Sequence, residues 1–102
     1  MTQKQIEEIK LRLSLDNMEK IVRDYFNLDY NKPFKSKAAV CYIALVLHVR
    51  NVHIKPQITQ EELADKMGIS LRKVAAMYRF FKIYKIDYLY HIEKLLTKIY
   101  FQ

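Results

Sequence analysis

The segment QEELADKMGISLRKVAAM, residues 60–77, decides the fold. Leu63, Ala64, Met67, Gly68, Ile69, Val74 and Met77 recur at the spacing of two short helices joined by a tight turn. Thr59 with Glu62 has the form of a capping box at the first helix, and Gly68 supplies the left-handed position that only glycine adopts cheaply. Ser70 then caps the second helix. A small Ala64 lets the two helices cross closely, while Ile69 and Val74 plug the angle between them. That arrangement lets a second helix project into a major groove, so the pattern reads as a helix-turn-helix. A helical hairpin that never touches DNA needs the same small residue, glycine and plug, and both readings stand.

Working outward, the remaining caps are also local signals. Thr2 and Gln5 have the capping-box form, and Ile6, Ile9 and Leu13 follow at helical spacing, predicting a helix over about 3–13. Ser14 or Asp16 caps a second helix over about 15–27, with Met18, Ile21, Val22, Tyr25 and Phe26 as its apolar stripe. Pro33 marks a loop, because the residue before proline is pushed out of the helical region. Ser36 is expected to cap a third helix over 37–50, apolar on most faces and therefore central. The helix after Ser70 is expected over about 71–85, and Asp87 is the expected cap of a last helix over about 88–100.

The expectation is an all-α domain of six helices spanning residues 1–102. Thr2, Gln3, Ile6, Ser14 and Arg23 align with Thr59, Gln60, Leu63, Ser70 and Arg79, which raises two three-helix repeats over 1–51 and 58–102 with a groove between them. Chance likeness between two capped amphipathic pairs accounts for the same alignment. Composition agrees with helix: the chain is 51% hydrophobic and holds one Gly and two Pro, too apolar for disorder and too poor in turn residues for a sandwich.

The net charge of +7 is uneven. Residues 32–58 carry five bases and no acid, and residues 59–86 six bases against three acids, while the two ends are near balance. Concentrated charge of this kind favours an anionic partner such as duplex DNA, although a solvated lysine-rich face is the plainer account. The expected DNA-binding residues are Lys35, Lys37, Ser70, Arg72, Lys73, Arg79 and Lys82, acting through backbone phosphates. Tyr84, Tyr88 and Tyr100 belong to an aromatic C-terminal stretch expected to form a protein interface, either with a partner peptide or helix or in a homodimer; core packing is the alternative for such residues.

No enzyme is expected. His48, His53 and His91 lack the spacing of a metal-ligand set, and no phosphate loop, nucleophile elbow or paired carboxylates are evident, so neither metal nor cofactor is predicted. Glu61, Glu62 and Asp65 suit the positive end of a helix without further chemistry. Cys41 lies in an apolar run and reads as a small core residue of a reducing compartment. The polar start and the short apolar runs predict no signal peptide and no membrane span, and hence a cytoplasmic location.

Lys35, Ser36, Ala39, Tyr42, Ile43 and Ala44, then Thr59, Gln60, Glu62 and Ala64, then Gly68, Ile69, Ser70, Val74 and Tyr78, resemble the second cyclin-like repeat of archaeal transcription factor B. The resemblance implies a cyclin-type helical domain that binds duplex DNA and docks on protein partners. Two departures limit it. Ala75, Ala76 and Met77 stand where the family carries polar, Arg-bearing positions, and they offer no bidentate contact to a guanine edge. There is also a longer linker at 51–58 and no zinc ribbon. Length and richness in Ile, Lys and Tyr are similar to small proteins of viruses of hyperthermophilic archaea, which would put the chain in the host cytoplasm.

Overall fold

The computed structural model describes residues 1–101. Its secondary structure is helical throughout, with no strand among the described residues. Six helical segments follow in order: α1 (Gln3–Arg12), α2 (Leu15–Tyr25), α3 (Ser36–Ala44), α4 (Gln60–Met67), α5 (Leu71–Ile83) and α6 (Lys85–Tyr100). The all-α, six-helix expectation holds.

The caps form as their chemistry dictates. Both capping boxes close, Thr2 with Gln5 and Thr59 with Glu62, each hydroxyl accepting the third amide while the longer side chain accepts from the cap's own N–H. Of the two candidates before α2, Ser14 is the cap, accepting from the Asn17 amide, and Asp16 sits in the first turn. Ser70 caps α5 by accepting from the Lys73 amide. Gly68 ends α4 with φ 68°, and the Ile69 amide reaches back to the Ala64 carbonyl at 3.1 Å, closing the last turn.

Several boundaries differ from expectation. Ser36 does not cap α3; it is the first helical residue, and Lys35 before it makes no side-chain cap bond. α2 stops at Tyr25, two residues early, because Asn27 takes a left-handed φ of 56°. α5 stops at Ile83, and α6 begins already at Lys85, so Asp87 lies within its first turn and does not cap it. The third helix is not α-helical to its end: Leu45–Arg50 is a π-helix, followed by a short α-helical turn at Asn51–His53. Wide turns of this kind carry no composition signal, since i to i+5 pairing is imposed by what the helix packs against.

α3 is the centre of the molecule. Ala38 through Val46 are all buried, and α2, α5 and α6 pack around this rod. Cys41 is fully enclosed there, and burial pushes its thiol up to about 12. His48, near the C-terminal end of the rod, meets Tyr78 and Phe81 of α5, and Lys37 at its start acts on His91 of α6. α4 packs on α5 and buries Leu63 and Ala64, consistent with the close crossing that a small residue permits. α1 has no buried residue; Arg12 ties it down by donating to the carbonyls of Ile99 and Tyr100 at the end of α6.

Candidate nucleic-acid interface

The turn after α4 sets the site. Gly68 ends α4, half-buried Ile69 and buried Val74 follow it and pack on the core, and the outer face of the N-terminal half of α5 is exposed. Arg72, Lys73, Ala76 and Arg79 are exposed there, while Val74 and Phe81 point inward. Positions 72, 76 and 79 lie on one face at helical spacing, so the two guanidinium groups flank a small alanine. Gly68, Ile69, Ser70, Arg72, Lys73 and Ala76 border a shallow concavity of about 470 Å³. The ion pairs among the described residues are Arg12–Glu8, Arg23–Glu19 and Lys66–Asp16, so no cation of α5 is held by an acid.

The seven expected DNA-binding residues come from the starts of α3 and α5 and from the length of α5. Arg72, Lys73 and Arg79 share the open face, with Ser70 at its edge, where the hydroxyl oxygen accepts the Lys73 amide at 3.1 Å. Lys82 turns toward α3: its Nζ stands 4.6 Å from the Tyr78 ring centre, beside His48. His48 shares a 3.3 Å hydrogen bond with the Tyr78 hydroxyl, and its pKa is lowered by desolvation first and then by Lys85 and Lys82. Lys35 directly precedes α3 and Lys37 lies in its first turn; both are exposed, and Lys37 acts on His91 of α6.

The expected protein-interface tyrosines also separate. Tyr84, at the elbow between α5 and α6, is exposed and stacks near Phe80, with ring centres 4.5 Å apart. Tyr88 is buried and belongs to the core, packed against Phe81. Its place in the stripe Tyr88, Ile92, Leu95, Ile99 was a readable signal of this. Tyr100 is half-buried, and its carbonyl accepts from Arg12. What sequence reading missed is the company of Tyr84: Phe80, Ile83, Ile86 and Tyr90 are all exposed about the same elbow, Ile86 at 84%.

The expected absence of a membrane span has a structural counterpart: among the described residues no helix is long and apolar enough to cross a bilayer. No family model matches the chain, and comparison with curated proteins and with solved structures returns no match.

Proposed function

We propose that this chain is a non-enzymatic binding module that contacts duplex DNA through its phosphates, using the N-terminal half of α5. The observation that carries the reading is the exposed set Arg72, Lys73 and Arg79, without an ion-pair partner among the described residues, around the small Ala76 on the helix that follows the Gly68 turn. Cations free of carboxylates give full attraction to phosphate, and alanine lets the helix approach the backbone closely. Of the residues that would face bases, Ala75 and Met77 are half-buried and Ala76 has no donor, which argues for backbone contact without base readout. The role is an accessory or regulatory one, as the likeness to a cyclin-like repeat of archaeal transcription factor B would imply, and it goes with a cytoplasmic location.

Fluorescence anisotropy on a labelled duplex tests it. With Z phosphates neutralised, log K falls against log salt with a slope of about −0.9Z, and Z on the order of 3 is expected from the three cations. Arg72→Ala with Arg79→Ala should weaken all sequences equally and flatten the slope by about two phosphates' worth. Absence of binding at low salt would end the proposal.

A second reading, a protein-protein adaptor, has its own observation in the exposed elbow of Phe80, Ile83, Tyr84, Ile86 and Tyr90. Exposed apolar clusters of this kind mark interaction surfaces. Homodimerisation is its simplest form. Sedimentation at micromolar concentration distinguishes it: a monomer unaffected by Ile86→Glu removes the dimer.

A further inference from the structure

α5 ends at Ile83 and α6 begins at Lys85, so Tyr84 alone joins them, and its φ of −105° and ψ of 33° break the helical course. Exposure rises toward this joint along both helices, from 46% at Phe80 to 66% at Ile83 on α5 and from 63% at Tyr90 to 84% at Ile86 on α6. The residues adjoin one another. Ile83 lies one turn beyond Phe80, Tyr90 one turn beyond Ile86 with exposed Leu89 beside it, and the Tyr84 ring centre stands 4.5 Å from that of Phe80. Scattered exposed apolar residues are ordinary, but a cluster that culminates at one joint marks a contact with something apolar.

The surroundings are cationic. Residues 71–86 carry Arg72, Lys73, Arg79, Lys82 and Lys85 and no acid, and none of these cations has an ion-pair partner among the described residues. Lys82 and Lys85 both act on His48, so they stand on the flank of the elbow toward the end of the α3 rod. Two exposed acids bound the patch on α6, Asp87 next to Ile86 and Glu93 one turn beyond Tyr90, and the apolar contact ends at them.

From this juxtaposition of a protruding apolar tip and unpaired cations we infer that the elbow docks on an anionic lipid surface. Ile83 and Ile86 enter the boundary between headgroups and acyl chains, while Tyr84, Tyr90 and the cations stay at headgroup level, where a ring with a polar end and a long basic side chain are both at home. A leaflet offers apolar depth and negative charge together and needs no shape matched to the tip. A second copy of the chain, by contrast, would set Lys82 and Lys85 against cations of the same kind. The contact is peripheral, since among the described residues no helix is long and apolar enough to cross a bilayer. It gives a lipid occupant to the surface on which the adaptor reading rests, and it does not depend on the DNA reading.

Co-sedimentation of the full chain with vesicles of equal parts phosphatidylserine and phosphatidylcholine at low salt is the test. Binding is expected there and not to phosphatidylcholine alone, with Lys82→Gln and Lys85→Gln each weakening it about fivefold. Ile83→Glu with Ile86→Glu, both at exposed positions, should weaken it about tenfold or more while the fold persists. The chain has no Trp, so Ile86→Trp reports depth: its emission should shift to the blue on binding and be quenched by brominated acyl chains. Leu11→Trp, on the helix that Arg12 ties to the other end of α6, should show neither change. Absence of binding at low salt, full binding in the folded double Glu variant, or an unshifted Ile86→Trp emission overturns the proposal. Should the double Glu variant fail to fold, the Ile86→Trp quenching decides. A parent that sediments as a dimer, that Ile86→Glu makes monomeric and that ignores vesicles overturns it in favour of a second copy and upholds the adaptor reading, whereas a monomer that ignores vesicles removes both the lipid and the dimer. The effect of Arg72→Ala with Arg79→Ala on DNA binding bears on the α5 reading alone.

Discussion

The side chain of Asn51 exchanges two hydrogen bonds with the backbone of Ile58: Nδ2 donates to the Ile58 carbonyl at 2.8 Å, and Oδ1 accepts from the Ile58 amide at 3.0 Å. Asn51 is buried, and its own carbonyl accepts from Gln57 Nε2. The loop after the α3 rod is thereby folded back so that Thr59 starts α4 in contact with the core. Asn51→Ala leaves the Ile58 amide without its partner, and a loss of about 2 kcal/mol is expected, since a half-satisfied buried pair costs more than a missing one. Chemical denaturation checks this, with Val52→Ala next door, at an exposed position, staying within about 0.5 kcal/mol of the parent.

Arg23 holds the α2–α3 connection in a similar way. Its Nε donates to Glu19, its Nη1 to the carbonyls of Asp29 and Lys32, and its guanidinium stacks 4.3 Å from the Phe34 ring centre. Lysine keeps the charge but not the planar fork, so Arg23→Lys should cost about 2 kcal/mol. For a domain of this size that lowers Tm by roughly 8–16 °C in a thermal scan. A shift under about 2 °C would mean that the connection is held by other contacts.

Gly68 separates conformational from steric cost. A Cβ added there meets no atom within 4 Å, yet φ is 68°. Gly68→Ala should therefore cost about 1–2 kcal/mol from the backbone alone, and Gly68→Asn, which tolerates this conformation, should recover part of it. Equal losses for Ala and Asn would contradict the assignment.

His48 and His91 both have lowered pKa values, mainly because burial disfavours their charged forms, with Lys85 and Lys82 adding to the first and Lys37 to the second. The unfolded chain then binds more protons than the folded one as pH drops below about 6.5, so stability present at neutral pH is lost as pH falls through the histidine range. His91 also shares a 2.9 Å hydrogen bond with the Tyr25 hydroxyl. Thermal scans between about pH 7.5 and 5.5 should show a falling Tm, with a shallower slope in His48→Gln and His91→Gln. Unchanged slopes in both variants would discard the account.

What could be read in the sequence was what acts over three or four residues. The hydroxyl caps at Thr2, Ser14, Thr59 and Ser70 and the stop at Gly68 involve partners within one turn, and all formed. Ser36 misled because a hydroxyl before an apolar run is necessary for a cap but does not fix where the helix starts. The π-turn and the Arg23 network depend on segments that meet only after packing, and no local pattern encodes them. On the α5 face the residue types, and their place on the outward side at helical spacing, were legible.

The lone thiol at the centre of the α3 rod gives the protein an internal clock. With no exposed surface and a thiolate suppressed at neutral pH, Cys41 can be alkylated only in molecules whose core has opened. Its labelling rate, followed by mass, counts those excursions directly, and a bound partner that stabilises the closed form slows the count in proportion to its occupancy.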